Sequence, residues 1–286
     1  MKSVNSAVLD HAVINVRYEM SAAVERFRSL GFTLTERGYH SLGSINHLMM
    51  FGHDYLELVG IERNALRVRR EVVDSPMGLN GLVFNTDDAD RCHRELTAHG
   101  IAAESPLAFC RPVTIGGVEQ QAKFRIVRIK PEVVRGGRVY FCEHQTRDLV
   151  WRPEWQTHRN GAHALSEFII VVPEPAREAG LYERILSLTA RHVSGQESEI
   201  ALDGFTIRFM TVQRYTVRYG RHACNQQGRE SFMGALAVRT TALAKVRECL
   251  AAVSDVREAD DVVEQSATRV TVCSRLAFDT VLEFVQ

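Results

Sequence analysis

A short pattern returns four times along this chain, and repetition of that kind limits the fold more than any other feature. It runs "LDHAVINV", then the helix-like "MSAAVERFRSLGF", then three strand-like pieces, "FTLTERG", "INHLMMFG" and "DYLELVGI". In the helix, Met20, Ala23, Val24, Phe27 and Leu30 recur at helical spacing and Gly31 supplies the stop. The order restarts at "GLNGLVFNT", followed by the helix "DDADRCHRELTAHG" and the strands "IAAESPLAF", "QAKFRIVRI" and "RVYFCEHQ". "ALSEFIIVV" opens a third unit, whose helix carries Leu181, Ile185 and Leu188. "FMGALAVRT" opens a fourth, with Leu243, Val246, Leu250 and Val253 on its helix and "TRVTVCS" and "TVLEFVQ" at its close. The third unit matches least well, since "QESEIALDGFTIRFMTVQRYTVRYGRHA" has room for two or three strands. The repeat predicts an α+β protein of four βαβββ modules.

Between the second and third units lies the irregular stretch "TRDLVWRPEWQTHRNGAHA", with Pro153, Asn160 and Gly161. It reads as a connection, giving domains at 1–150 and 162–286 joined by 151–161. Trp151 and Trp155 are expected to pack it down. Lys plus Arg and Asp plus Glu number 35 each, so no whole-molecule field draws the chain to nucleic acid or an anionic membrane. No apolar run approaches a membrane span, and "MKSVNSAVLDH" lacks a signal-peptide hydrophobic region, so a cytoplasmic protein is expected. The six cysteines form no C-x-x-C pair and read as small hydrophobes.

The residues "LDHAVINV", "GFTLTERGYHSLGSINHLMMFGHDYLELVGI", "GLNGLVFNTDDAD" and "YFCEHQTRDLVWRPEWQTHRNGA" resemble the vicinal oxygen chelate superfamily, in particular its glyoxalase-like branch. This superfamily includes glyoxalase I, extradiol dioxygenases and bleomycin-resistance proteins. The resemblance is strong over about the first 165 residues and weaker beyond. It implies that the modules pair into two open, cupped barrels in one chain. It does not imply one reaction, because the fold hosts isomerases, dioxygenases and simple binders.

Strand alternation puts His11 on one face with Val13 and Asn15, and Glu57 on one face with Tyr55 and Val59. In metal-dependent members of the superfamily the first strand supplies a His and the last a Glu, positions that His11 and Glu57 match. Gly81 aligns with His11 in the second unit, so the usual second histidine is absent. "YFCEH" offers Glu143 and His144, of which regular geometry admits one. With Phe141 on the helix side, Tyr140, Cys142 and His144 face inward. The resemblance then implies His11, Glu57 and His144 as ligands of a divalent metal (Zn, Fe, Mn or Ni), with Glu57 or Glu143 moving a substrate proton. The alternative ties His11 into the barrel rim and pairs Glu57 with an arginine such as Arg111 or Arg128.

Substrate contacts are expected from Asn15, Tyr55, His47 and Arg111. His47 lies in a turn with His40, Ser44 and Asn46 that either grips an anionic or carbonyl ligand or is an ordinary hairpin connection. "RVRREVVD" reads as a solvated helix face, from which Arg67 or Arg70 could meet a substrate carboxylate. In the second barrel Glu167 and Glu283 align with His11 and Glu57, and Arg208 nearby makes an internal ion pair the expectation. The functional expectation is a metal-dependent lyase, isomerase or dioxygenase acting on a small oxygenated molecule in the first cup. The alternative is a non-catalytic binding or sequestering protein. The expected partner is a small molecule, not nucleic acid or membrane. Four modules in one chain remove the need for a dimer to complete each barrel and leave homodimerisation open.

Overall fold

The computed structural model describes residues 7–253 and 262–286; the stretch "MKSVNS", part of the leader reading, lies outside them. The first half runs β1 (Leu9–Arg17), α1 (Met20–Ser29), β2 (Gly38–Tyr39), β3 (Ile45–Met50), β4 (Tyr55–Gly60), α2 (Arg70–Val73), β5 (Gly78–Asn85), α3 (Ala89–Ala98), β6 (Leu107–Ile115), β7 (Val118–Arg128) and β8 (Arg138–His144). The second runs β9 (Ala162–Val171), α4 (Pro175–Leu186), β10 (Ala190–Ser194), β11 (Glu197–Leu202), β12 (Phe205–Met210), α5 (Val212–Tyr219), β13 (Phe232–Thr240), α6 (Leu243–Ala251), β14 (Val262–Ser266), β15 (Arg269–Val272) and β16 (Val281–Val285). Each half makes one eight-stranded sheet, ordered β2-β3-β4-β1-β5-β8-β7-β6 and β10-β11-β12-β9-β13-β16-β15-β14. The first strands of paired modules lie antiparallel at the centre, each with its module's last strand parallel on the other side. This is the α+β fold of paired, cupped βαβββ modules.

Strand parity decides what faces where. Ala12, Ile14, Val16, Leu56, Leu58 and Phe141 join the helix side, where one continuous apolar core takes in both halves. Phe32 stacks on Phe284 across the halves, with ring centroids 5.8 Å apart. Val13, Tyr55, Val59, Tyr140 and Cys142 instead line the interior of the first cup.

Two strand expectations shift. Residues 32–37 are irregular, because Thr35 donates its N–H to Leu48 O while its Oγ1 accepts from Leu48 N, leaving only Gly38–Tyr39 as strand. The sixth strand is Leu107–Ile115 rather than "IAAESPLAF", and Gly116 and Gly117, both at positive φ, turn it into β7. Pro112 is accommodated because β6 is a sheet edge.

The connection is clamped by buried polar residues. Asn160, fully buried, donates to Leu30 O at 2.9 Å, and its carbonyl accepts from Thr240 Oγ1 at 2.7 Å, joining the first module to the fourth. His158 accepts from Thr33 N at 2.9 Å and donates to Met50 O at 2.8 Å. Asp54 accepts from Leu165 N at 3.0 Å, and burial pushes its carboxyl up to about 7. A carboxyl with a raised folded-state pKa favours folding fully below its ordinary value of 3.8, and that contribution is lost as pH rises through about 7. Asp54→Asn, which keeps the acceptor, is therefore expected to melt higher than the wild type at pH 8, by roughly 2–4 °C. The gap should close toward pH 4; a constant gap across thermal melts would contradict this linkage.

Candidate active site in the first cup

His11 reaches the cup from β1, and its ring stacks on Tyr55 of β4, with centroids 4.3 Å apart. A register shift between Leu9 and His11, where β1 pairs with β5, brings Asp10 onto the same site. Asp10 contacts His11 Nδ1 on one side and lies 3.0 Å from His144 Nε2 on the other. Burial would push the Asp10 carboxyl up, but His144 and His11 outweigh it and hold it well below the usual carboxylate range. An ionised carboxylate only accepts, so it places the proton of a neutral His11 on Nδ1 and turns the Nε2 lone pair to the cavity.

Nε2 faces Glu57 Oε2 at 3.6 Å and the Tyr140 hydroxyl at 3.4 Å. Glu57 accepts from Asn46 Nδ2 at 2.7 Å through its other oxygen. Burial alone would raise the Glu57 carboxyl, yet His11, the Asn46 amide and Arg69 keep it below its ordinary value. Asn46 Nδ2 also contacts His40 Nε2 at 3.2 Å, and His40 Nδ1 meets Ser44 Oγ at 2.8 Å. Burial, with Arg69 and Arg111 nearby, pulls His40 down to about 3, so this imidazole is neutral at ordinary pH. Arg69 is anchored on Glu71 at 2.6 Å. The cavity, of about 30 Å³, is walled by these groups with Phe109, Arg111, Phe124, Ile126 and Cys142.

The expected site residues separate into two groups. His11, Glu57, Tyr55 and Arg111 line the cavity. His144 also points inward, but its Nε2 is taken by Asp10. His11, Glu57 and His144 therefore do not converge on one point. Among the described residues, the three potential ligands with donor atoms within 4.8 Å of one another are Asp10, Cys142 and His144. Glu143 turns outward, where its carboxylate accepts from Ala89 N at 2.9 Å at the start of α3 and meets Arg125 at 3.4 Å. That placement removes it as a proton-transfer group in this cup.

Asn15 is spent on the crossover into the second module, donating to Val72 O at 2.8 Å and Pro76 O at 3.1 Å. His47 sits between cup-facing Asn46 and Leu48, so parity sends it to the outer face, against Thr35 O at 2.8 Å. Neither lines the cavity. Of the arginine run, Arg67 and Arg70 are exposed and Arg69 is the one turned in.

Register also identifies the second module's counterpart of Glu57. Val13 pairs with Glu57 as Val83 pairs with Tyr140, and His11 pairs with Tyr55 as Gly81 pairs with Arg138. Tyr140 therefore stands where a second carboxylate would. Gly81 admits no side chain, since a Cβ there would lie 2.9 Å from Val13. The fit to a divalent ion accordingly rests on His11 Nε2 and Glu57 Oε2. Each has its other polar atom tied to the protein, and their separation suits two ligands with bonds of about 2.1 Å. Asp10 behind His11 and Asn46 behind Glu57 are the outer hydrogen bonds that orient such ligands.

The second cup is filled from within. Helix α5 brings Tyr215 and Tyr219 against Ile169, Val171 and Phe232, and Gly234 leaves room for the Tyr215 ring. Glu167 is bonded to Arg208 at 2.7 Å and Arg218 at 2.6 Å. Glu283 meets Arg218 at 2.8 Å, Arg269 at 2.9 Å and the Tyr219 hydroxyl at 2.9 Å.

Paired βαβββ modules and a polar cup with His on its first strand and Glu on its last define a protein of the vicinal oxygen chelate superfamily. Within it the chain belongs to the family described as the glyoxalase-like domain, whose sequence profile matches residues 9–186. A hypothetical protein from Staphylococcus aureus has a similar solved structure, with TM-score 0.68 and 12% identity over 97% of this chain and 98% of that one. A variant of 4-hydroxymandelate synthase from Streptomyces coelicolor aligns with TM-score 0.61 and 14% identity, covering 99% and 93%. An extradiol ring-cleaving dioxygenase from B. fuscum aligns with TM-score 0.58 and 13% identity, covering 100% of this chain and 74% of that one. At these identities the likeness is one of fold. Among curated proteins no sequence match is found. Among the described residues no helix is long and apolar enough to cross a membrane.

Proposed function

We propose that the first cup is the active site of a metal-dependent enzyme, a lyase, isomerase or dioxygenase, that acts on a small oxygenated organic molecule. The observation that carries this reading is the pair His11 Nε2 and Glu57 Oε2, facing each other at 3.6 Å inside a buried cavity. That gap is too long for a hydrogen bond, and two lone-pair donors at such a distance call for a cation between them. A bound divalent ion would supply Lewis-acid polarisation of adjacent substrate oxygens. Asp10 fixes the His11 ring and Asn46 fixes the Glu57 carboxylate. The Tyr140 phenol, pushed up by burial, stays protonated and can donate to a substrate oxygen. Phe109, Phe124 and Ile126 form the apolar wall of the cavity.

Metal analysis tests this reading. Protein purified without an affinity tag, loaded with Zn, Mn, Ni or anaerobic Fe(II) and desalted, is expected to retain about one ion per chain. The His11→Ala/Glu57→Ala double variant should lose it, whereas His144→Ala should keep it. Wild-type protein that retains no ion, or loss only in His144→Ala, would overturn the assignment.

A further inference from the structure

Resting on that reading of the cup, we propose that its substrate carries a carboxylate with a hydroxyl beside it. Arg111 receives the carboxylate and the Asn46 carbonyl receives the hydroxyl. Arg111 stands on β6 and is 4% exposed, yet among the described residues its guanidinium makes no hydrogen bond or ion pair, and Nη2 is buried without a partner. The other arginine lining this cavity, Arg69, is anchored on Glu71 at 2.6 Å, and on neighbouring strands Arg128 meets Glu71 at 3.1 Å and Arg138 donates through Nε to Asn80 at 2.8 Å, although its Nη2 is also unpartnered. Glu57 lies across the same cavity but is not bonded to it, and a buried cation with no hydrogen-bonded counter-charge is costly, while a planar fork of donors is matched by a carboxylate.

The loop that carries this arrangement is held in place. Ser41 N donates to Cys110 O at 3.0 Å, and His40 packs edge-on against Phe109 with centroids 5.3 Å apart. Gly38 lies against both groups: a Cβ there would collide with Asn46 Oδ1 and come within 3.2 Å of Arg111 Nη1. Asn46 cannot turn its amide, because its NH₂ serves Glu57 and His40. Its Oδ1 is therefore an acceptor, buried and unpartnered. A free donor fork and a free acceptor thus border the same glycine. Arg111 also lines an outer groove of about 350 Å³, so its side chain borders both the cavity and a space open to solvent.

Lactate, propionate and propane-1,2-diol form a near-isosteric set that keeps both groups, the carboxylate alone and the hydroxyls alone. Ligand-observed NMR on the metal-loaded protein is expected to rank lactate first. Propionate should bind about fivefold more weakly, and the diol at least about tenfold more weakly. Arg111→Met should cut lactate binding about tenfold or more, with Arg111→Lys between them. The Met variant should melt no lower than the wild type, because it removes a buried charge that has no hydrogen-bonded partner. The diol binding as tightly as lactate, or unchanged lactate affinity in a folded Arg111→Met variant, would overturn the proposal. So would an Arg111→Met variant that melts far below the wild type, because Arg111 would then be structural. Metal retained by the wild type alongside any of these results leaves the His11–Glu57 reading standing and sinks only the carboxylate assignment.

Discussion

Replacing Glu283 with alanine is expected to destabilise the protein by about 3–5 kcal/mol, the range for breaking a buried ion pair from one side. Glu283 is fully buried and accepts from Arg218, Arg269 and Tyr219 at once. Its removal takes the shared acceptor from the buried Tyr219 hydroxyl and from Arg218 and Arg269, whose side chains are only partly exposed. The thermal midpoint should fall by about 10 °C. Equilibrium urea unfolding should give a lower midpoint, with Asp87→Ala, on an exposed pair with Arg91, moving it by less than about 0.5 kcal/mol. Equal effects at the two positions would show that the network in the second cup is not a structural keystone.

Asp10→Asn is expected to leave the fold intact and weaken metal retention about 10- to 100-fold, the usual cost of losing the partner that orients a ligating histidine. Aspartate serves His11 and His144 as an acceptor on both sides, whereas an asparagine amide must present its NH₂ to one of them. The ring that meets it is forced into the other tautomer or swung away. Competition against a chelator of known strength measures the loss. Unchanged affinity in Asp10→Asn would mean that Asp10 does not position His11.

Much of the fold was legible because the repeat fixes element order and alternation fixes faces. Met20, Ala23, Val24, Phe27 and Leu30 are all buried as the helical spacing requires. His11 and Glu57 were legible as one surface for the same reason. What stayed hidden depends on register and irregularity, which a period of two does not encode. The shift at Leu9/His11 that admits Asp10 leaves no mark in "LDHAVINV". In "RVYFCEH" the ligand-type residues Glu143 and His144 drew attention, while pairing through Val83 puts Tyr140 level with Glu57. The Gly116–Gly117 turn was a readable signal for the long β6–β7 hairpin that carries Arg111. The filling of the second cup by α5 is a tertiary event, and only the facing of Glu167 and Arg208 foreshadowed it.

The filled second cup has a consequence for the first. Both are built on the same frame and rest on one apolar core, so the molecule contains its own control experiment. In the second cup a helix occupies the space and the carboxylates are matched by guanidiniums. The imbalance on the other side, with Arg111 and the Asn46 carbonyl left open, is therefore not what this scaffold does by default. One half pairs its buried carboxylates with guanidiniums, and the other keeps buried polar groups unpaired around its cavity.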